Sequence, residues 1–243
     1  MMDINDVAQA NLRALRENRY PGRGIVVGQS PDGQHLMEVY WIMGRSENSR
    51  NRIFVQEDDV VRTAPFDESK VEDPSLIIYN CIRTRRTAHI VTNGDQTDTI
   101  FQALEEGKSF EWALYTRTFE PDTPNYTPRI AALINLEDPR HAYQLGILKT
   151  LFNNEAYPVR HIYNYAAAIP GVGHFIATYD GDGDPLPSFT GEPRPLPLTN
   201  DPDETLNLYW DALDEDNKVS LLVKSIDPTA NESTVEIVNK NIA

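Results

Sequence analysis

The residues best suited to chemistry lie in one stretch, Tyr40 to Arg52, which reads Y-W-I-M-G-R-S-E-N-S-R-N-R. An apolar run, Val39 to Met43, stops at Gly44. Arg45, Arg50 and Arg52 follow, separated by Ser46, Asn48, Ser49 and Asn51. Arginine offers a planar fork of donors to phosphate oxygens, and Ser and Asn complete the set. Glycine lets the backbone approach a ligand closely. A strand ending in Gly and opening into an Arg-Ser-Asn loop therefore suits a phosphate. A solvated, charged surface hairpin has the same composition. The chain as a whole carries a net charge of −15, so a local cationic cluster stands out against its background.

Other polar residues fall at expected strand ends and loop entries. They are Arg23, Tyr79-Asn80, Asn93-Gly94-Asp95, Glu120, and Tyr126-Thr-Pro-Arg129. Several familiar chemistries find no support. There is no G-x-S-x-G, P-loop or HExxH. The five histidines, His35, His89, His141, His161 and His174, lack metal-ligand spacing. Asp180-Gly-Asp182-Gly-Asp184 resembles the start of a calcium loop. However, Pro185 stands where such a loop needs Gly and Gly191 where it needs Glu, so it reads as a turn and no metal site is expected. The single cysteine, Cys81, sits in the apolar run I-I-Y-N-C-I and reads as a buried thiol. From the residues alone, the reading reaches a small anionic ligand.

The elements that position these residues follow from pattern. A helix is expected over 3–18, capped by Asp3, with Ile4, Val7, Ala8, Leu12 and Leu15 at helical spacing. Strands are expected at Gly24–Gly28 and Leu36–Met43 around a Pro-Asp-Gly turn, then at Arg52–Val55, Asp59–Ala64, Leu76–Arg83 and Thr87–Thr92. These first ninety residues read as one strand-rich sheet layer. A helix capped by Thr97 or Asp98 ends at Gly107. A second starts at Ser109, with Phe110, Ala113, Leu114 and Thr118 on one side. Strands resume at Arg129–Asn135 and Ala142–Leu148; 157–168 is ambiguous, and Gly173–Tyr179 is a strand. Residues 180–203 read as a long loop, 205–213 as helix or strand, and 218–226 as a closing strand. Sheet, helix pair, then sheet again suggests two mostly antiparallel sheets stacked face to face and flanked by helices, an α+β sandwich.

Length, 243 residues with 40% hydrophobic, fits one sizeable core. The acidic balance excludes binding of nucleic acid or anionic membrane over the whole surface. One cysteine excludes an intrachain disulfide. The N-terminus does not read as a signal peptide, and no apolar run approaches a membrane span, so a cytoplasmic location is expected.

The chain resembles the archaeal-type IMP cyclohydrolase family, including its longer bacterial members. The resemblance rests on G-R-G-I-V-V-G at Gly22–Gly28, the Tyr40–Arg52 stretch, I-Y-N-C-I-R at Ile78–Arg83, V-T-N-G-D-Q-T-D-T-I at Val91–Ile100, and Y-T-P-R-I-A-A at Tyr126–Ala132. All five occur in the same order. The resemblance implies a four-layer αββα fold of the N-terminal-nucleophile-hydrolase kind, used without self-cleavage, since Arg23 or Gly24 opens the first strand. It implies closure of the purine ring of formyl-AICAR to IMP without a cofactor, by a homo-oligomer. A single domain, 1–243, is expected, with residues 1–19 and about 176–243 lying outside the compact archaeal pattern. Tyr79, Glu120 and Asn93 are the expected catalytic residues, with Tyr79 donating to the formyl oxygen and Glu120 accepting the amide proton. Arg23, Arg45, Ser46, Arg50, Arg52, Asn80, Gly94 and Arg129 are the expected substrate contacts. Two alternatives stay open: an amide hydrolase of the same fold using Cys81, and a non-catalytic purine-nucleotide binder.

Overall fold

The computed structural model describes residues 3–71 and 77–242. The expected first residue of the strand at Leu76–Arg83 lies outside that set. Helix α1 (Ile4–Glu17) opens the chain, with the Asp3 carboxylate accepting from the Asn5 N–H. Strands β1 (Gly24–Gln29) and β2 (Leu36–Met43) follow, then a one-turn helix α2 (Glu47–Arg50). Next come β3 (Arg52–Glu57), β4 (Val60–Pro65), β5 (Asn80–Arg85) and β6 (Ala88–Thr92). Helices α3 (Gln96–Glu105) and α4 (Phe110–Tyr115) precede β7 (Arg129–Asn135), β8 (Tyr143–Leu151), β9 (Asn154–Tyr165) and β10 (Val172–Ala177). The chain finishes with β11 (Arg194–Pro197), α5 (Pro202–Trp210), β12 (Lys218–Asp227) and β13 (Glu232–Asn239).

The strands form two sheets, both antiparallel between every pair of neighbours. One has the order β11-β10-β1-β2-β12-β13, the other β3-β4-β5-β6-β7-β8-β9. Period-two alternation sorts the side chains. In the second sheet Val91, Ile130, Ala132 and Ile134 join the main core shared by both sheets. Their neighbours Ile90, Ala131 and Leu133 join Ile100, Ala103, Phe110 and Leu114 of α3 and α4 in a smaller core. In the first sheet Tyr40 lies against Phe54 of β3, with ring centroids 5.5 Å apart. The adjacent Trp41 stacks on Tyr209 of α5 at 6.0 Å. Helices thus pack on the outer faces, and the main core lies between the sheets.

Several sequence expectations are corrected. The first ninety residues do not make one layer: β1 and β2 belong to one sheet and β3–β6 to the other. The crossing falls in the Arg45–Arg52 stretch, which is not all loop. Ser46 and Ser49 form a reciprocal capping box that winds α2. Helix α3 begins at Gln96, earlier than a Thr97 or Asp98 cap would allow. The Thr97 hydroxyl is instead buried against Thr92 Oγ1 at 2.6 Å, and Asp98 pairs with Arg83 at 2.9 Å. Helix α4 stops at Tyr115, leaving Thr118 beyond it. Residues 157–165 of the ambiguous 157–168 region belong to β9, an edge strand whose exposed first half blurs the apolar pattern. The long loop 180–203 contains β11, an R-P-L-P edge strand whose two prolines mask it. It also contains the start of α5, capped by Asp201. Strand β12 pairs directly with β2, so residues beyond 176 complete the sheet that carries β1.

One buried pair in the core gives a pH test. Glu38 of β2 is opposite Lys224 of β12, yet Lys224 Nζ donates to Thr84 Oγ1 at 2.6 Å. Both Glu38 carboxylate oxygens are buried and unpartnered among the described residues. Burial raises the Glu38 pKa from 4.5 to about 7, against the pull of Lys224. The folded state then holds a proton that the unfolded chain releases. This favourable contribution is complete below about 4.5 and is lost as pH rises through about 7. His89 has the opposite sign: burial lowers it from 6.5 to about 3, so its contribution is lost as pH falls through that range. Glu38→Gln is expected to remove up to about 3 kcal/mol of the stability decline between pH 5 and 8, read from urea midpoints. Parallel curves for wild type and variant would contradict it.

Candidate active site

A cavity of about 320 Å³ opens where β1 and β2 meet α2 and the loops 120–128 and 178–186. Its lining includes Tyr20, Arg23, Arg45, Ser46, Ser49, Arg52, Asp122, Asn125, Thr127 and Tyr179. Local geometry builds it. Gly44 ends β2 because a Cβ there would sit 2.7 Å from the Ser49 backbone, so α2 can fold back over the strand end. Gly22 adopts φ +72°, the left-handed region, and leads the chain to Arg23 at the cavity floor.

Arg23 is the central cation. Its Nη2 donates to Glu120 Oε2 at 2.9 Å, with both side chains nearly buried. Burial opposes the Arg23 charge, but Glu120 and the phenols of Tyr79, Tyr179 and Tyr40 outweigh it and raise its pKa. Burial raises the Glu120 pKa; Arg23 and then Arg129 pull it back without cancelling the rise. A carboxyl held this way is primed to accept a proton. Tyr79 is 6% exposed and precedes the first residue of β5. Its hydroxyl lies 2.7 Å from that of Tyr40. Burial raises its pKa, and Arg23 and Arg52 pull it down. Arg52, 2% exposed, is fixed by Nε to the Ser49 carbonyl at 2.8 Å and Nη2 to the Met43 carbonyl at 3.2 Å. Two buried guanidinium nitrogens, Arg23 Nε and Arg52 Nη1, have no partner among the described residues.

At the mouth, Arg45 lies 5.0 Å over the Tyr20 ring and donates to Asp182 Oδ1 at 2.6 Å and to the Gly183 carbonyl at 2.9 Å. The Asp180-Gly-Asp182 segment is thus a turn bound to arginines, since Asp180 also accepts from Arg194 at 2.6 Å. Ser46 lines the cavity beside Arg45. Opposite, Asp122 accepts from the Thr127 N–H at 2.6 Å and from its hydroxyl, and Thr127 Oγ1 lies 2.5 Å from Tyr179 Oη.

Arg23, Arg45, Ser46 and Arg52 therefore line one cavity; Glu120 and Tyr79 are not among its lining residues but adjoin it, Glu120 on Arg23 at 2.9 Å and Tyr79 in the fields of Arg23 and Arg52. Five other expected site residues are directed elsewhere. Arg50 turns away, with Nε on the Gly44 carbonyl at 2.9 Å and Nη2 on Asn217 Oδ1 at 3.1 Å. Asn80 reaches Asp98 at 3.1 Å on the other side of its strand, the outcome that alternation dictates for two adjacent residues. The fully buried Asn93 carboxamide is consumed within the fold: Nδ2 donates to the Pro128 carbonyl at 2.9 Å, and Oδ1 accepts from Ile130 N–H and from Gln96 Nε2, both at 2.8 Å. Gly94 offers its carbonyl to Thr92 Oγ1 at 2.8 Å. Arg129 is held by Asp95 at 2.6 Å and Gln96 at 2.8 Å, and reaches Glu120 only through its field. Asp122, Asn125, Thr127 and Tyr179 were not singled out from sequence. Thr127 lies in the Tyr126–Arg129 set named above, Asp122 and Asn125 lie in the proline-containing stretch before it, and Tyr179 ends an expected strand with no local pattern that marks a site.

Cys81 is fully buried, with Sγ donating to the Val61 carbonyl at 3.3 Å, and burial pushes its pKa up. A thiolate nucleophile is disfavoured there. Cys81→Ser is accordingly expected to keep most turnover while losing some thermal stability. A folded but inactive variant would restore the thiol hydrolase reading.

Fold and cavity together define a class: an α+β protein of two antiparallel sheets, with a half-open, arginine-lined pocket of small-ligand size at the strand ends. The family model described as "IMP cyclohydrolase-like protein" matches residues 20–231. The IMP cyclohydrolase of Methanocella arvoryzae is 32% identical over 145 residues, which cover 58% of this chain and 68% of that protein. That of Methanosphaera stadtmanae is 28% identical over 165 residues, covering 66% and 74%. That of Methanopyrus kandleri is 34% identical over 121 residues, covering 49% and 60%. The chain belongs to the IMP cyclohydrolase-like family.

Proposed function

We propose that this protein closes the purine ring, converting formyl-AICAR to IMP with loss of water. The observation that carries the reading is the cavity floor. Arg23 Nε and Arg52 Nη1, which have no partner among the described residues, belong to side chains that line the pocket, and Arg23 in turn pairs with Glu120 and acts on the Tyr79 phenol. In this reading Arg45, Arg52 and Ser46 hold the 5′-phosphate, and the Asp122–Thr127–Tyr179 wall receives the ribose and base.

The reaction is intramolecular, so holding the near-attack geometry supplies much of the acceleration. The carboxamide nitrogen bonds to the formyl carbon, and the C=O electron pair moves onto the oxygen, which takes the Tyr79 proton. Glu120 accepts the proton released by that nitrogen. Glu120 then returns its proton to the departing hydroxyl, and the Tyr79 oxygen takes the formamide N–H proton as the C=N bond forms. The two protons lost by the two nitrogens leave with the oxygen as water, and both side chains end as they began.

The fold is read as the αββα arrangement of N-terminal-nucleophile hydrolases, in one domain. Arg23 immediately before β1 carries no hydroxyl or thiol for self-cleavage. No helix among the described residues is long and apolar enough to cross a membrane. The chain is read as a cytoplasmic homo-oligomer acting on a purine nucleotide. The deciding experiment is incubation of purified protein with formyl-AICAR, followed by the ultraviolet spectrum of IMP. Absence of conversion by folded protein would overturn the reading.

A further inference from the structure

A second phenol lies behind the reacting one. Tyr40, in the middle of β2, is fully buried, and its ring is fixed against Phe54. Its hydroxyl is 2.7 Å from Tyr79 Oη, and either oxygen can donate in that pair. The surroundings decide the direction. Burial and the Cys81 thiol disfavour charge on both phenols; Arg23 favours it on both, and Arg52 adds to Arg23 at Tyr79. Negative charge is therefore better stabilised on the Tyr79 oxygen, which makes Tyr79 the acceptor and Tyr40 the donor. With Tyr40 O–H directed at Tyr79 Oη, the Tyr79 proton is free for another acceptor.

We propose that Tyr40 is a positioning residue for ring closure: it orients the Tyr79 hydroxyl toward the formyl oxygen and stabilises the Tyr79 oxygen after its proton has been given up. This role rests on the ring-closing function proposed above. Tyr40 never touches substrate; it acts through one hydrogen bond. That bond is between neutral groups before proton transfer and charge-assisted afterwards, so it strengthens when the reaction needs it. The Tyr79 oxygen thus meets one phenol directly and two arginines through their fields, at a residue only 6% exposed.

Tyr40→Phe keeps the ring and its packing and removes one oxygen. Wild type, Tyr40→Phe, Tyr79→Phe and the double variant are compared at a temperature where circular dichroism shows all four folded. Tyr40→Phe is expected to lower kcat roughly 10- to 100-fold, the size of one hydrogen bond to a charged group. KM and IMP affinity are expected to stay within about twofold, and the alkaline limb of the kcat profile to move to higher pH, because the Tyr79 phenolate loses a donor. In the Tyr79→Phe background the Tyr40 substitution is expected to cost nothing further. A Tyr40→Phe enzyme with wild-type kcat and pH profile would overturn the role. So would a double variant slowed by the product of the two single losses. A folded wild-type protein that does not turn over formyl-AICAR would overturn the function and this role with it, which separates the two failures.

Discussion

Tyr79→Phe is expected to lower kcat for IMP formation by roughly 10²–10³-fold while leaving IMP affinity within a few-fold. The substitution removes a single hydroxyl, and the ring continues to fill its place in the main core. Lost turnover with retained product affinity would mark an interaction made in the transition state and absent from the ground state. The size of the loss follows from the surroundings. Tyr79 is 6% exposed, and its oxygen lies in the fields of Arg23 and Arg52, so water cannot replace the donor. Steady-state kinetics with formyl-AICAR, together with IMP titration, measure both quantities. Near wild-type kcat would remove Tyr79 from the chemistry and leave catalysis to positioning by the arginines.

The second large effect is on Arg23. Arg23→Ala leaves Glu120, 3% exposed, without the guanidinium 2.9 Å from its Oε2. Breaking one side of a buried pair costs about 3–5 kcal/mol, because the remaining charge stays desolvated. Turnover is expected to fall below detection, since Arg23 also lies beside the Tyr79 phenol. The stability loss carries a pH signature. Burial already raises the Glu120 pKa, and removal of Arg23 raises it further. The variant should therefore regain stability as pH falls through that raised pKa, where Glu120 is protonated and no bare charge remains. The double variant Arg23→Ala, Glu120→Gln should recover most of the loss at neutral pH, measured by urea unfolding. A deficit that is unchanged by pH and by the second substitution would show that Arg23 acts through packing alone.

Local signals in the chain were clear where a residue's environment depends on its near neighbours. Strand β2 was legible from its apolar run and Gly stop, α1 from its spacing and Asp3 cap, and β7 from its boundaries at Arg129 and Asn135. Those signals failed at β11, where two prolines disguise an edge strand, and at β9, where one face meets solvent. The capping box that winds α2 is written in Ser46 and Ser49, yet the same residues also suit a loop.

By itself, the sequence determined that an acidic chain carries a cationic cluster after a Gly-ended strand. Local pattern placed Tyr79 and Glu120 among the polar residues at strand ends and loop entries, and their catalytic roles came from the family resemblance. Only the tertiary structure decided which arginines serve the cavity. Arg45 meets Asp182 across 137 positions, Arg23 meets Glu120 across 97, and Arg50 is drawn away to Asn217 across 167. Asn93 likewise looks like a site residue until Gln96 and the backbone of Pro128 and Ile130 consume its carboxamide. The reason is physical. A side chain's type fixes which bonds it can make, but a buried donor or acceptor must be satisfied by whatever partner the fold brings near. Those partners arrive from distant strands, so the final assignment belongs to the packing of two sheets.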